Sequence, residues 1–294
     1  MSLQDYKKAG KIAAETLQFG KKLIKEDAFL RDVTKKTEEF ILNQGGKPAF
    51  PVQISLNNKA AHCYAGTDSE QKFVEGDLVK LDVGVHINGY IADNALSVNI
   101  ANDRDLKLIK ASKDALREAI SLMRPGVKLN EIGMAIEEVI VGYGFQPIRN
   151  LSGHEVEKWN LHAGIIIPNY DNKNEMELEE GQVFAVEPFA TTGAGKVSEG
   201  KFSRIYKVHE LKSVRVGRDV LKSIYENYRT LPFAKDWLSK EFDKFKIDNS
   251  FRILEQQEVL HNYTELIEKE GTKVSQAEHT VMVANNPIVL TKLE

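Results

Sequence analysis

The sequence predicts an α/β (α+β) fold in which two similar halves meet at a shared site. Three observations carry this. A hairpin signal lies between two alternating runs, helical patterns recur on both sides of it, and a strand that ends in an acidic residue occurs twice in the same context.

Residues 4–44 place Ile12, Ala13 and Leu17, then Val33, Phe40 and Ile41, at helical spacing, which predicts two helices stopped by Gly45-Gly46. A turn-rich stretch from Lys47 to Lys72 follows. Next, Asn88-Gly89 separates two alternating runs, and a type I′ hairpin turn needs positive φ at both central residues. With Ile87 opposite Tyr90, the ladder sets Asp82 opposite Ala95 and Gly84 opposite Asp93. Opposed residues share a face, so the two aspartates become diagonal neighbours, roughly 7–8 Å apart at the backbone. Their side chains then suit a pair of divalent ions roughly 3.5–4 Å apart. The reverse face carries Leu81, Val83, Val85 and Ile87 with Tyr90, Ala92, Leu96 and Val98, and predicts a core contact. Gly84, without a side chain, predicts open space beside Asp93. Most Asp-bearing hairpins simply turn that face to solvent, so two carboxylates leave the choice open.

Helical patterns return at about 103–123 and 129–143, separated by Arg124-Pro125-Gly126. The order of events then repeats. Glu75-Gly76 leads through a strand to Asp82, and Glu180-Gly181 leads through Val183-Phe184-Ala185-Val186 to Glu187, at an offset of 105 residues. Upstream, Lys47-Pro48 and Gln146-Pro147 stand at an offset of 99. A single domain, 1–294, is expected, with halves of about 1–105 and 106–294 and with Asp82 and Glu187 in equivalent places. Residues 200–271 read as helical and charged, as an inserted subdomain would. From Val274 to Val283 strand character returns, and its alternation groups Glu278 with Thr280 and Met282 while turning His279 away. Glu278 is therefore the better ligand candidate of the two.

Composition narrows the chemistry. Across 294 residues, 40 basic side chains stand against 43 acidic ones, a net charge of −3, which leaves no electrostatic footprint for nucleic acid or an anionic membrane. No apolar run is long enough to span a bilayer and the start lacks a signal-peptide apolar region, so a cytoplasmic protein is expected. A single cysteine, Cys63, excludes an internal disulfide and any multi-cysteine zinc site. Any metal would then have to be held by carboxylates and imidazoles, for which Asp82, Asp93, His154, Glu187 and Glu278 are the candidates. A lone His after Ser-Gly is usually a turn residue, and a Glu ending a strand is usually solvated. Yet an acid that closes a run as apolar as Val-Phe-Ala-Val needs a partner if it is buried. Four carboxylates and one imidazole supply roughly six to eight donor atoms if two of them bridge, which suits a pair of hard-to-borderline divalent ions.

At these residues the chain resembles the methionine aminopeptidases, in particular their type 2 branch. The landmarks are Gly45-Gly46-Lys47-Pro48-Ala49-Phe50-Pro51, Ala60-Ala61-His62, Leu81-Asp82-Val83-Gly84, Asp93, Asn150-Leu151-Ser152-Gly153-His154, Leu161-His162-Ala163-Gly164, Glu187, Leu231-Pro232-Phe233-Ala234-Lys235-Asp236-Trp237-Leu238 and Glu278-His279-Thr280. They run over nearly the whole chain. The resemblance implies the pita-bread fold, two pseudo-symmetric α/β halves around a dinuclear site, and makes 200–271 look like the type 2 helical insertion. It implies that Asp82, Asp93, His154, Glu187 and Glu278 bind two divalent ions (cobalt, manganese, iron or zinc), with Asp93 and Glu278 bridging and Asp82 serving one. A hydroxide between the ions would attack the first peptide bond, and Glu187 would carry a proton to the leaving amine. His162 would hydrogen-bond the scissile carbonyl or its oxyanion, and His62 would line the substrate pocket. Taken alone, each of these two histidines reads as a structural imidazole. Phe50, Leu161, Phe189 and Ile205 are the positional candidates for an apolar pocket.

The activity implied is removal of initiator methionine from nascent chains when the next residue is small. The substrate would be met at the ribosome, by a monomer that contacts neither nucleic acid nor membrane directly. Two other readings share the fold. Prolidases and proline aminopeptidases usually carry an extra N-terminal domain, whereas 81 residues precede Asp82 here. Relatives that only bind RNA or ribosomes generally lose the ligands and often gain basic tails.

Overall fold

The computed structural model describes residues 2–293. Ser2 caps the first helix, α1 (Leu3–Leu23), its hydroxyl accepting from the Asp5 N–H. After α2 (Leu30–Asn43) the chain reverses through Gly45, whose φ of 77° is left-handed. The stretch expected to be all turns contains β1 (Lys47–Pro48), β2 (Gln53–Leu56) and β3 (Lys59–Ala61). Segments of two to four residues are too short to show a period, so local pattern could not separate them from loop.

β4 (Leu78–Ile87) and β5 (Tyr90–Asn99) form the expected hairpin, in the expected register: Ile87 faces Tyr90, Gly84 faces Asp93 and Asp82 faces Ala95. Asn88 and Gly89 both have positive φ, 53° and 89°, as a type I′ turn demands. The other edge of β4 pairs with β1 and then β2, which sets Gln53 directly opposite Asp82. Leu81, Val83 and Val85 pack with Ile12, Ala13 and Leu17 of α1 in the first core. The opposite face is not solvated. Lys80, His86 and Asp93 on it are all buried, because the second half of the molecule covers them.

That half begins with α3 (Leu106–Ser121) and α4 (Leu129–Gly142), a few residues inside the expected spans. β6 (Gln146–Pro147), β7 (Ser152–Glu155), β8 (Ile166–Pro168), β9 (Val183–Val186) and β10 (Phe189–Thr191) follow. β9 and β10 stand where the first half has one strand, divided at Pro188, which lacks an N–H for the ladder. β11 (Ser198–Val208), α5 (Arg218–Tyr228), β12 (Phe233–Ala234), a 3-10 helix (Lys235–Lys240), α6 (Lys244–Gln256) and β13 (Leu260–Ile267) come next. The expectation of a helical 200–271 is corrected at both ends, since β11 and β13 pair there in a sheet ordered β12-β11-β13-β3. Much of β11 is exposed, and its charged residues read as a solvated helix in sequence. Tyr206, Phe233, Leu238 and Phe251 give this part a core of its own. β14 (Val274–Gln276), β15 (His279–Met282) and β16 (Ile288–Val289) complete the chain. Their sheets are ordered β16-β15-β9-β7-β8 and β14-β10-β6.

The sequence repeat returns as a repeat of register. Lys47 opposite His86 and Pro48 opposite Val85 recur as Gln146 opposite Thr191 and Pro147 opposite Ala190. Ser55 opposite Lys80 recurs as His154 opposite Ala185, and Gly84 opposite Asp93 as Phe189 opposite Gln276. The halves join where β5 meets β14 and β15. There the Glu278 N–H donates to the Ala95 carbonyl at 3.0 Å. On one side the Ser97 hydroxyl accepts from the Gln276 N–H and donates to its carbonyl, both at 2.8 Å. On the other, the Thr280 hydroxyl accepts from the Asp93 N–H at 2.6 Å and donates to its carbonyl at 2.8 Å. The two clamps are counterparts under the pseudo-symmetry.

Candidate metal centre

The five residues expected to bind metal converge on this seam. Asp82 comes from β4, Asp93 from β5, His154 from β7, Glu187 from the break between β9 and β10, and Glu278 from the break between β14 and β15. One donor atom each from Asp93, His154 and Glu278 lies within 4.8 Å of the others. His154 Nε2 is 3.9 Å from Asp93 Oδ2 and 3.8 Å from Glu187 Oε1. Asp93, His154 and Glu278 are buried, while Asp82 and Glu187 are half-buried and face a cavity. His279 turns away, its Nδ1 2.9 Å from the Thr291 hydroxyl.

Among the described residues no lysine or arginine comes within 4.0 Å of any of the four carboxylates. Asp82 Oδ1 and Asp93 Oδ1 are buried with no hydrogen-bond partner. Burial pushes the Asp82 carboxyl up to about 7. Burial first, and then the neighbouring carboxylates, push Asp93, Glu187 and Glu278 well above the usual carboxylate range. Burial also holds His154 down at about 4, as the neutral imidazole that a metal requires. Four crowded acids, a neutral imidazole and unpartnered oxygens without an organic cation form a donor set that fits divalent metal.

The cavity beside the carboxylates encloses about 350 Å³. Phe50, Leu161, Phe189 and Ile205, the four apolar candidates, all line it, together with His62 and His162. The open space expected next to Gly84 is corrected: the Phe50 ring fills it, so that a Cβ on Gly84 would lie 2.2 Å from Phe50 Cε1. The His162 ring stands 4.3 Å from that of His154, and desolvation followed by the nearby His154 and His62 lowers its basicity. His62 has a left-handed backbone, φ 61°, held by its N–H donating to Gln53 Oε1 at 2.6 Å. Its Nδ1 is 3.1 Å from the Thr264 carbonyl, which only accepts, so Nδ1 carries the proton and Nε2 keeps a lone pair.

Comparison with known proteins agrees with this geometry. Metallopeptidase family M24 matches residues 4–222. The methionine aminopeptidase of Pyrococcus horikoshii is 44% identical over 286 residues, 96% of this chain and 97% of that protein. That of Methanocaldococcus jannaschii is 38% identical over 297 residues, 99% of each. The chain belongs to metallopeptidase family M24. Solved structures show the same fold: methionine aminopeptidase from Thermotoga maritima has a TM-score of 0.73 at 23% identity, covering 100% of this chain and 98% of that one. Prolidase from Pyrococcus furiosus has a TM-score of 0.64 at 20% identity, covering 99% of this chain and 64% of that one. This M24 chain is a metal-dependent aminopeptidase of the pita-bread fold.

Several residues of the M24 site were not among the expected ones. Gln53, Pro232, Tyr263 and Leu266 also line the cavity, and Gln276 reaches two of the carboxylates from beneath. The register of β2 on β4 brings Gln53 to the site, whereas Gln276 stands two residues before Glu278, so the alternation that groups Glu278 with Thr280 also puts Gln276 on that face. A second cavity, of about 580 Å³, shares His62, Tyr263 and Leu266 with the first. No helix among the described residues is long and apolar enough to cross a membrane.

Proposed function

We propose that this M24 enzyme removes N-terminal methionine from nascent polypeptides whose second residue is small. The observation that carries the proposal is an apolar cavity, walled by Phe50, Leu161, Phe189 and Ile205, that ends on the carboxylate cluster. Its relatives named methionine aminopeptidase over nearly their full length support it. In this reading Asp82, Asp93, His154, Glu187 and Glu278 hold two divalent ions, from among cobalt, manganese, iron and zinc. When bound, such a pair polarises a carbonyl and lowers the pKa of water.

The chain's own residues do the rest. Phe50, Leu161, Phe189 and Ile205 receive the unbranched thioether side chain. Glu187, whose carboxyl is pushed upward, would take a proton from the water whose oxygen attacks the carbonyl carbon and return it to the amine nitrogen as the peptide C–N bond breaks. Neutral His162 donates an N–H to the oxygen of the scissile carbonyl as charge develops there. His62, with its lone pair on Nε2, accepts from a peptide N–H of the substrate. The two imidazoles and Tyr263 crowd the second residue and so favour a small one. The remaining chain leaves past His62, Tyr263 and Leu266 into the wider cavity. The same reading has the enzyme act as a cytoplasmic monomer on chains emerging from the ribosome, with 200–271 as the type 2 insertion within a single catalytic domain.

The test is an assay of metal-free enzyme reconstituted separately with Mn²⁺, Co²⁺, Fe²⁺ and Zn²⁺, on Met-Ala-Ser, Met-Lys-Ser and an Xaa-Pro peptide. Release of methionine from Met-Ala-Ser well ahead of the other two is expected. Faster turnover of the Xaa-Pro peptide, or no release with any ion, would overturn the proposal.

A further inference from the structure

We propose that Gln276 is a positioning residue of the metal centre: a neutral donor that fixes one oxygen each of Glu187 and Glu278 from the place where the other half of the molecule carries Asp93. The inference rests on the metal reading above.

The register makes the equivalence. Gln276 faces Phe189 in the β10–β14 ladder as Asp93 faces Gly84 in the β4–β5 ladder. The backbone of Gln276 is clamped in both directions by the Ser97 hydroxyl, as that of Asp93 is by the Thr280 hydroxyl. At one of two equivalent points, then, the fold has a carboxylate, and at the other an amide.

The chemistry gives the amide its task. Gln276 is 1% exposed, and its Nε2 lies 3.1 Å from Glu187 Oε2 and 3.4 Å from Glu278 Oε2. Carboxylates that hold a metal are ionised and only accept, which suits the amide nitrogen facing them, while Oε1 is buried without a partner. A side chain kept buried with its oxygen unpaired acts through its nitrogen. Two N–H groups on one atom hold two glutamates from different strand breaks in fixed relation. Glu187 is thereby left with Oε1 free, on the side of His154 Nε2 at 3.8 Å. An acid at 276 would add a fifth negative group to the cluster, and a lysine would bring a positive charge that competes with metal. Glutamine supplies donors and no charge. Partners of this kind, which orient ligands without touching the ion, change metal affinity by roughly 10- to 100-fold when removed.

The experiment compares wild type with Gln276→Met, which keeps the bulk and removes the donor, and Gln276→Ala. Metal-free proteins are matched for fold by circular dichroism, then titrated with Mn²⁺ by electron paramagnetic resonance and with Co²⁺ by its visible absorption. Affinity lower by roughly 10-fold or more in the folded variants, with an altered Co²⁺ spectrum, is expected. A folded Gln276→Met protein with wild-type Mn²⁺ affinity and an unchanged Co²⁺ spectrum would overturn the assignment. Failure of wild type itself to bind either ion would instead overturn the metal reading on which it rests.

Discussion

A Cβ at Gly84 would lie 2.2 Å from Phe50 Cε1 and 2.7 Å from Cζ, so the ring that walls the cavity rests where β4 has no side chain. Gly84→Ala must therefore push Phe50 into the space meant for substrate. Overpacking of this kind costs about 1–3 kcal/mol, and here part of it falls on binding. KM for Met-Ala-Ser should rise several-fold with kcat less affected, and Phe50→Leu in the same background should restore it. An unchanged KM in Gly84→Ala would show that Phe50 does not bound the pocket. His162 belongs to another class of residue, because it faces the carbonyl oxygen in the proposed reaction. His162→Ala should lower kcat by roughly 10²–10³ while leaving bound metal unchanged by elemental analysis. Loss of metal together with activity would make it part of the metal site instead. Asp82, Asp93 and their register were legible in sequence because a two-residue turn and a period of two are local facts. Gln53 and Tyr263 were not, since their relation to the site exists only through pairings between distant strands.

The helices show the same division between local and distant information at the scale of elements. α1 to α4 lie close to their expected spans because each carries a long apolar stripe, whereas β1 to β3 are too short to display one. Less visible still was what fastens α2 to the inserted part. Glu38, in α2, accepts from the Val52 N–H at 3.2 Å and from the Trp237 indole N–H at 2.9 Å. Burial, the largest effect, pushes its carboxyl from 4.5 up to about 7. A folded-state value above the unfolded one means that the folded protein holds the proton more tightly. Its contribution to stability is therefore full below about 4.5 and is lost as pH rises through about 7. In Glu38→Gln the charge is gone, but one amide oxygen serves two donors poorly. The variant should start below wild type at pH 5 and gain on it by pH 8, by on the order of 2 kcal/mol in urea unfolding. A gap that stays constant with pH would show that Glu38 titrates normally.

Across the whole molecule, the five candidate ligands are divided between the halves: Asp82 and Asp93 lie before α3, and His154, Glu187 and Glu278 after it. The repeat was legible because both halves kept the same glycine turn, strand and acid. The way they are fastened was not, because the Ser97 and Thr280 clamps join residues far apart in sequence. Where β5 meets β14 and β15, direct bonding between the halves is a few hydroxyl bridges and the Glu278 to Ala95 bond, and it is set against four acids crowded together. A divalent ion reverses that opposition, since it converts mutual repulsion among the acids into shared attraction across the seam. Binding to the folded state alone stabilises by about 2.7 kcal/mol at a free metal concentration 100 times Kd. Mn²⁺ should therefore raise the unfolding temperature of metal-free protein, and EDTA should reverse the rise. Hydrogen exchange gives the sharper test, because the gain should not be uniform. The amides of Asp93, Gln276 and Glu278 should slow most on metal binding, while those of α5 and α6, which pack in a separate core, should slow least. Protection that rises equally in both regions, or an unfolding temperature indifferent to Mn²⁺, would mean that metal does not bridge the halves at this seam.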